Sequence, residues 1–178
     1  PLSFVELKPA DSEKDESTWV PAQLVFFGYD VKVNKGEVWI NNGVSTGTAT
    51  HITPLKAKLS AILELVQLDT AIGHWYSDMK AVRIKHDNRT RYLQKCLSKI
   101  EVPNSIKYEF CLLPNPDLLG LTVATIFYHE ESRLPKVSIG IGADVDLEQA
   151  MYKSFIEGVG TLGLSRLQIY SNNYKLEG

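Results

Sequence analysis

The sequence predicts an α+β fold, mixed α/β in content, in which long buried helices pack on a mostly antiparallel sheet. Helix-type signals cover residues 54–76 and the stretch after Asp146, while β-like runs occur at 106–113, 121–128 and 137–141. Those runs are separated only by short loops holding Pro114, Pro116, Gly120 and Pro135, so turns join them and neighbours run antiparallel. With 178 residues, 44% of them hydrophobic, the chain suits a single domain, 1–178, and shows neither an internal repeat nor a separating linker.

In chain order, residues 1–18 read as a polar loop, because the run from Asp11 to Ser17 has little to bury. Trp19–Tyr29 and Lys32–Ile40 predict a hairpin that turns at Asn34, Lys35 and Gly36. Asn41, Asn42 and Gly43 then lead into a small-residue loop from Val44 to His51. Thr53 before Pro54 marks a helix start, since Thr can cap an orphan amide and Pro at the first position loses no needed hydrogen bond. The helix is expected to reach Tyr76. Its apolar residues, from Leu55 to Trp75, surround most of the circumference, as in a central, buried helix. Lys80–Lys85 alternates as a strand, and Asp87 can cap a helix over Asn88–Ser98. Asp146, with Gln149 three positions on, starts a last long helix that Gly158, Gly160 and Gly163 weaken, leaving Leu167–Tyr170 as a final strand.

Composition excludes several classes. A net charge of −2 gives no pull towards nucleic acid or anionic lipid, and no apolar run reaches the ~20 residues of a membrane span. Cys96 and Cys111 form neither a disulfide framework nor a zinc ribbon, which fits a reducing cytoplasm. The four histidines lack metal spacing, no Ser, Cys or Thr sits in a triad context, and neither G-x-x-x-x-G-K-[ST] nor G-x-G-x-x-G occurs. The chain begins at Pro1 without a visible signal peptide and reads as an excised fragment or a trimmed mature chain.

Three features remain as candidate chemistry. Lys56, Ser60, Glu64, Gln67 and His74 recur at helical steps on one stripe of the first long helix. Such a stripe is ordinarily a solvent-facing side; alternatively its carboxylate and amide can hold a metal-bound phosphate through oxygen ligands. The loop Ser45–Thr50 has a glycine among hydroxyls and can bring its amides to a phosphate. Glu157 lies at the edge of the last helix's apolar face, where a carboxylate usually reaches for water. Gly140-Ile141-Gly142 reads as a tight turn.

Two segments, taken together, resemble the YcaO family. Val44-Ser45-Thr46-Gly47-Thr48-Ala49, through Ala57 to Leu63-Glu64-Leu65-Val66-Gln67-Leu68-Asp69, is similar to that family's S-[NT]-G loop, Ala-rich helix and E-x-x-E-R-D ending. Gly142-Ala143-Asp144, Leu147-Glu148-Gln149-Ala150 and Ser154-Phe155-Ile156-Glu157 resemble its later helix, G-A-x-x-D-P-E-x-A-L-x-R-A-L-x-E-A-x-Q. Trp19–Val25 looks like the strand that precedes the loop in the peptide-modifying branch. The resemblance covers about residues 18–163 and is to SagD-like cyclodehydratases, which make thiazoles and oxazolines in bacteriocins such as streptolysin S.

That resemblance implies an ATP- and Mg²⁺-dependent enzyme acting on a ribosomal precursor peptide, with this chain as the middle part of a larger YcaO domain and inactive by itself. A Cys, Ser or Thr side chain attacks the preceding amide, whose oxygen ATP then phosphorylates, and the azoline ring closes with loss of phosphate. It places Ser45, Thr46, Glu64, Gln67 and Glu157 at the nucleotide, with Glu64, Gln67 and Glu157 at the metal. It also implies a docking, E1-like partner subunit, a flavin dehydrogenase as a further partner, and a homodimer, with no role for nucleic acid or membrane. Gln67 replaces the family's second Glu, Leu68 its Arg and Gly160 its Gln, which motivates the alternative of a non-catalytic docking or scaffold protein in the same complex.

Overall fold

The computed structural model describes residues 1–8, 17–41, 43–129 and 135–176, with side chains as far as residue 171. The chain forms two compact units, Pro1–Thr46 and Gly47–Gly178.

In the first unit, strand β1 (Phe4–Leu7) pairs antiparallel with β2 (Thr18–Pro21), Val5 opposite Val20 and Glu6 opposite Trp19. The expected polar loop at 1–18 is therefore corrected: its ends are strands, because Phe4-Val5-Glu6-Leu7 alternates in the period of a pleated surface. The charged run that motivated it, residues 9–16, lies outside the described residues. The expected hairpin is also corrected. Pro21 has no N–H to extend a ladder, so β2 stops there and α1 (Ala22–Val25) follows, while Val33–Lys35 forms a 3₁₀ turn. Side chains replace the missing strand partner. The buried Gln23 donates through Nε2 to the Val38 carbonyl at 2.8 Å and accepts the Ile40 N–H at 2.9 Å.

Glu37 is the second such anchor. Its carboxylate accepts the N–H groups of Lys32 and Ser3, both at 2.9 Å, and the Tyr29 hydroxyl. These donors, that of Lys32 foremost, hold its pKa down at about 2. A depressed carboxylate pKa stabilises the folded state above the ordinary Glu range and loses that contribution as pH falls through about 2. Amide exchange at Ser3 and Lys32, followed by NMR, should therefore accelerate steadily as pH drops below about 4, relative to unstructured amides, and Glu37→Gln should produce faster exchange already at pH 7. Unchanged protection in that variant would remove Glu37 from this role.

The second unit is built on one antiparallel sheet in the order β3-β4-β5-β6, from Val82–Ile84, Ile106–Leu113, Leu121–His129 and Val137–Asp144. One face packs on α4 (Leu147–Leu176) and α3 (Arg91–Leu97). Phe110, Val123 and Phe127 meet Ala150, Met151, Phe155 and Leu162 in the core, with the Phe127 and Phe155 ring centroids 5.2 Å apart. Apolar burial of this kind is the main force holding sheet and helix together. No helix among the described residues is long and apolar enough to cross a membrane.

Two expectations about glycine fail for one reason. Gly140 and Gly142 are not a turn; both lie in β6, pointing at α4, where an added Cβ would run into the backbone of Ser154 or Gly158. Gly158 likewise lets the ring of Phe127 approach α4. The glycines are there for close packing, so α4 continues through them, and Leu167–Tyr170 is helix rather than a final strand. Asp146 does start this helix, its Oδ1 accepting the Gln149 N–H at 2.9 Å. Asp87 also caps as expected, with a reciprocal Thr90 bond.

The helix α2 (Pro54–Tyr76) has the expected span, although the Thr53 hydroxyl makes no capping bond. Its orientation is the surprise. Only Leu63, Val66 and Thr70 are buried, whereas Leu65, Leu68, Ile72 and Trp75 are exposed. The polar positions Ser60, Glu64, Gln67 and His74 are half-buried instead. Within this chain α2 is therefore turned with its polar stripe inward, and it is less buried than its apolar composition predicts.

Candidate functional site

The inward stripe of α2 runs along β6, with lesser contact to β5 and β4. Among the described residues β6 is an edge strand, and no neighbouring strand there bonds its outer amides. Glu157 meets one of them. Close packing through Gly140 and Gly158 sets α4 on β6, and the Glu157 carboxylate accepts the Ile141 N–H. From the other side Gln67 donates through Nε2 to Glu157 Oε2 at 3.4 Å. Glu64 stands one turn before Gln67 on the same stripe, near enough for its charge to act on Glu157.

Burial pushes the Glu157 carboxyl up, Gln67 and the Ile141 N–H oppose this, and the negative charge of Glu64 adds to the upward shift. The balance lies above the usual glutamate range. A raised carboxyl pKa means that the folded state is most favoured below the ordinary value and loses that contribution as pH rises through the raised one. Glu64→Gln should lower the Glu157 titration midpoint, read by carbon NMR of the side-chain carboxyl, while Gln67→Ala should raise it further. No movement in either variant would separate the three residues electrostatically.

The rest of the stripe has a different task. Thr70, which is fully buried, accepts from Asn115 Nδ2 at 3.0 Å, and His74 Nε2 lies 2.9 Å from the Pro114 carbonyl. These bonds clamp the C-terminal half of α2 to the β4–β5 loop and so fix the register of Glu64 and Gln67. Lys56, at the other end, is exposed. Thr70 was legible in principle, since it sits three positions after Gln67 and four before His74. Lys153, one turn before Glu157, is not its counter-ion: it pairs with Asp144 at 2.6 Å. Burial raises the Asp144 carboxyl, but Lys153 and the Asp146 N–H prevail and hold it below its usual value.

Ser45 and Thr46 belong to the first unit, and their part in a site rests on the sequence resemblance alone. The next residue, Gly47, has φ 80, and a Cβ there would press on Leu65 at 3.0 Å, so the loop entering the second unit packs directly against α2.

Among the described residues no three His, Cys, Asp or Glu side chains converge on a metal position. Two carboxylates and an amide do converge, all hard oxygen donors of the kind Mg²⁺ takes when phosphate or water completes its shell. A cation held by both would relieve the repulsion of Glu64 on Glu157. The residues present therefore fit Mg²⁺ as a partly protein-bound ion.

The sequence matches the family described as YcaO cyclodehydratase, ATP- and Mg²⁺-binding, over residues 8–171, and the chain belongs to that family. Solved structures share the fold. YcaO from Methanopyrus kandleri bound with AMPPCP and Mg²⁺ is similar at TM-score 0.69 and 22% identity, over 93% of this chain and 42% of that one. The E. coli microcin synthetase McbBCD complex gives TM-score 0.69 at 15% identity, over 98% of this chain and 42% of that one. The heterocyclase TruD gives 0.62 at 20% identity, over 83% and 21% respectively. The chain thus spans less than half the length of these relatives. No curated protein matches it by sequence.

Proposed function

We propose that this chain is the ATP/Mg²⁺-binding core of a cyclodehydratase that forms azoline rings from Cys, Ser or Thr of a ribosomal precursor peptide, as in bacteriocins of the streptolysin S type. The observation that carries this reading is the inward polar stripe of α2, which joins Gln67 to Glu157 at 3.4 Å with Glu64 beside them. A merely wet helix face would point outward, with its leucines inward.

When bound, Mg²⁺·ATP supplies the phosphoryl group that makes a substrate amide oxygen a leaving group. Glu64 and Glu157 contribute the negative charge that holds the cation, and Gln67 orients the Glu157 carboxylate and can offer its amide oxygen. The Ile141 N–H keeps Glu157 turned to the sheet edge, and the Thr70 and His74 bonds hold α2 in register. By the sequence resemblance, Ser45 and Thr46 would offer hydroxyls and amides to the phosphates. The precursor peptide, a docking E1-like subunit and a flavin dehydrogenase are the partners of this reading, in the cytoplasm.

Gln67, Leu68 and Gly160 in place of charged or polar family residues favour one second reading, a non-catalytic docking or scaffold subunit of the same complex. The two separate in one experiment. Full-length protein, incubated with partner subunit, precursor and Mg²⁺·ATP, should release phosphate and remove one water per ring from the precursor by mass spectrometry. No phosphate and no mass loss would leave the scaffold.

A further inference from the structure

At the opposite end of the sheet from Glu157 the geometry points to a docking strip for an extended, acidic peptide segment along the free edge of β3. Among the described residues the three-residue strand β3 pairs only with β4, Arg83 opposite Cys111 and Ile84 opposite Phe110. Its outer backbone groups therefore face no strand among the described residues, and an added peptide strand can pair with them. A groove of about 380 Å³ lies beside this edge, lined by Arg83, Lys85, His86 and Glu109 together with Ile84, Tyr108 and Phe110. With Glu109 already matched by Arg83, the rim keeps a net positive charge through Lys85, and this with the apolar floor suits a strand whose side chains alternate between aliphatic and acidic.

The charge is local. Between residues 80 and 99 seven Lys and Arg stand against the single Asp87, in a chain whose net charge is −2. Of these, Arg83 pairs with Glu109 at 3.0 Å and Arg89 with Asp87, while Lys80, Lys85, Lys95 and Lys99 have no carboxylate partner among the described residues. A second copy of β3 would bring Arg83 and Lys85 against their own likeness, so self-pairing is disfavoured. A polynucleotide would use the charge but has no peptide backbone to pair with the strand edge, which is why a peptide is the better match. The strip is independent of the carboxylate site at β6, three strand spacings or roughly 14 Å away across the sheet.

The test uses full-length protein without nucleotide, so that it does not depend on catalysis. The probe is a short fluorescent peptide alternating Glu and Val, with a Lys and Val peptide and oligo(dT) as comparisons. Binding by anisotropy should favour the acidic peptide at least tenfold over both, and hydrogen exchange should show new protection at residues 82–84. Arg83→Glu with Lys85→Glu should weaken binding at least tenfold, and the milder Lys85→Gln should weaken it less while keeping the fold. Equal binding of the charge-reversed variant, no protection at 82–84, or tighter binding of oligo(dT) would each overturn the proposal.

Discussion

Gly140→Ala should destabilise the second unit by about 3 kcal/mol or more, a large fraction of a domain's total stability. An added Cβ would fall inside contact distance of the Gly158 N–H and the Ser154 carbonyl, both backbone atoms of α4 that no rotamer change can move. Relief requires lifting α4 from β6, which opens the Phe127 and Phe155 packing and breaks the Ser138 hydroxyl bond to the Gly158 carbonyl. Gly160→Ala is the matched control. Nothing lies within 4 Å of a Cβ there, so it should stabilise the helix by about 0.5–1 kcal/mol. Urea unfolding followed by circular dichroism gives both values, and similar results for the two variants would contradict the close approach of α4 to β6.

Glu64→Gln should reduce peptide-dependent ATP hydrolysis by the full-length protein tenfold or more. Loss of one charged ligand is worth at least ~1.4 kcal/mol of transition-state stabilisation. The variant keeps side-chain size, so a loss of this size reports charge rather than packing. Gln67→Glu should leave activity unchanged or raise it, since a third carboxylate strengthens cation binding when a cation is present. In a scaffold the same change would only crowd negative charge beside Glu157 and lower stability at neutral pH. Phosphate release and thermal unfolding, measured side by side, distinguish these outcomes.

Much of this was legible in the sequence, and the exceptions share causes. The Val82, Ile106, Leu121 and Val137 strands and the α2 span follow from local periodicity and turn residues, which act over a few positions. The β1–β2 pair was missed because its two halves flank a polar run and pair only in space. Gly140, Gly142 and Gly158 were misread as turn and breaker signals because the sequence does not show a helix lying on them. The convergence of Glu64, Gln67 and Glu157 was anticipated from resemblance, but the direction of the stripe was not. A helix apolar on most sides leaves its rotation undetermined, and the bonds of Gln67, Thr70 and His74 help to decide it.

The most direct test of the central claim is binding of Mg²⁺ with a non-hydrolysable ATP analogue, titrated calorimetrically into full-length wild type, Glu64→Gln and Glu157→Gln. The account expects the wild type to bind and each variant to bind at least tenfold more weakly, with the loss concentrated in the Mg²⁺-dependent part. Undiminished binding in both variants would contradict it, because a site built on these carboxylates cannot lose either charge without cost.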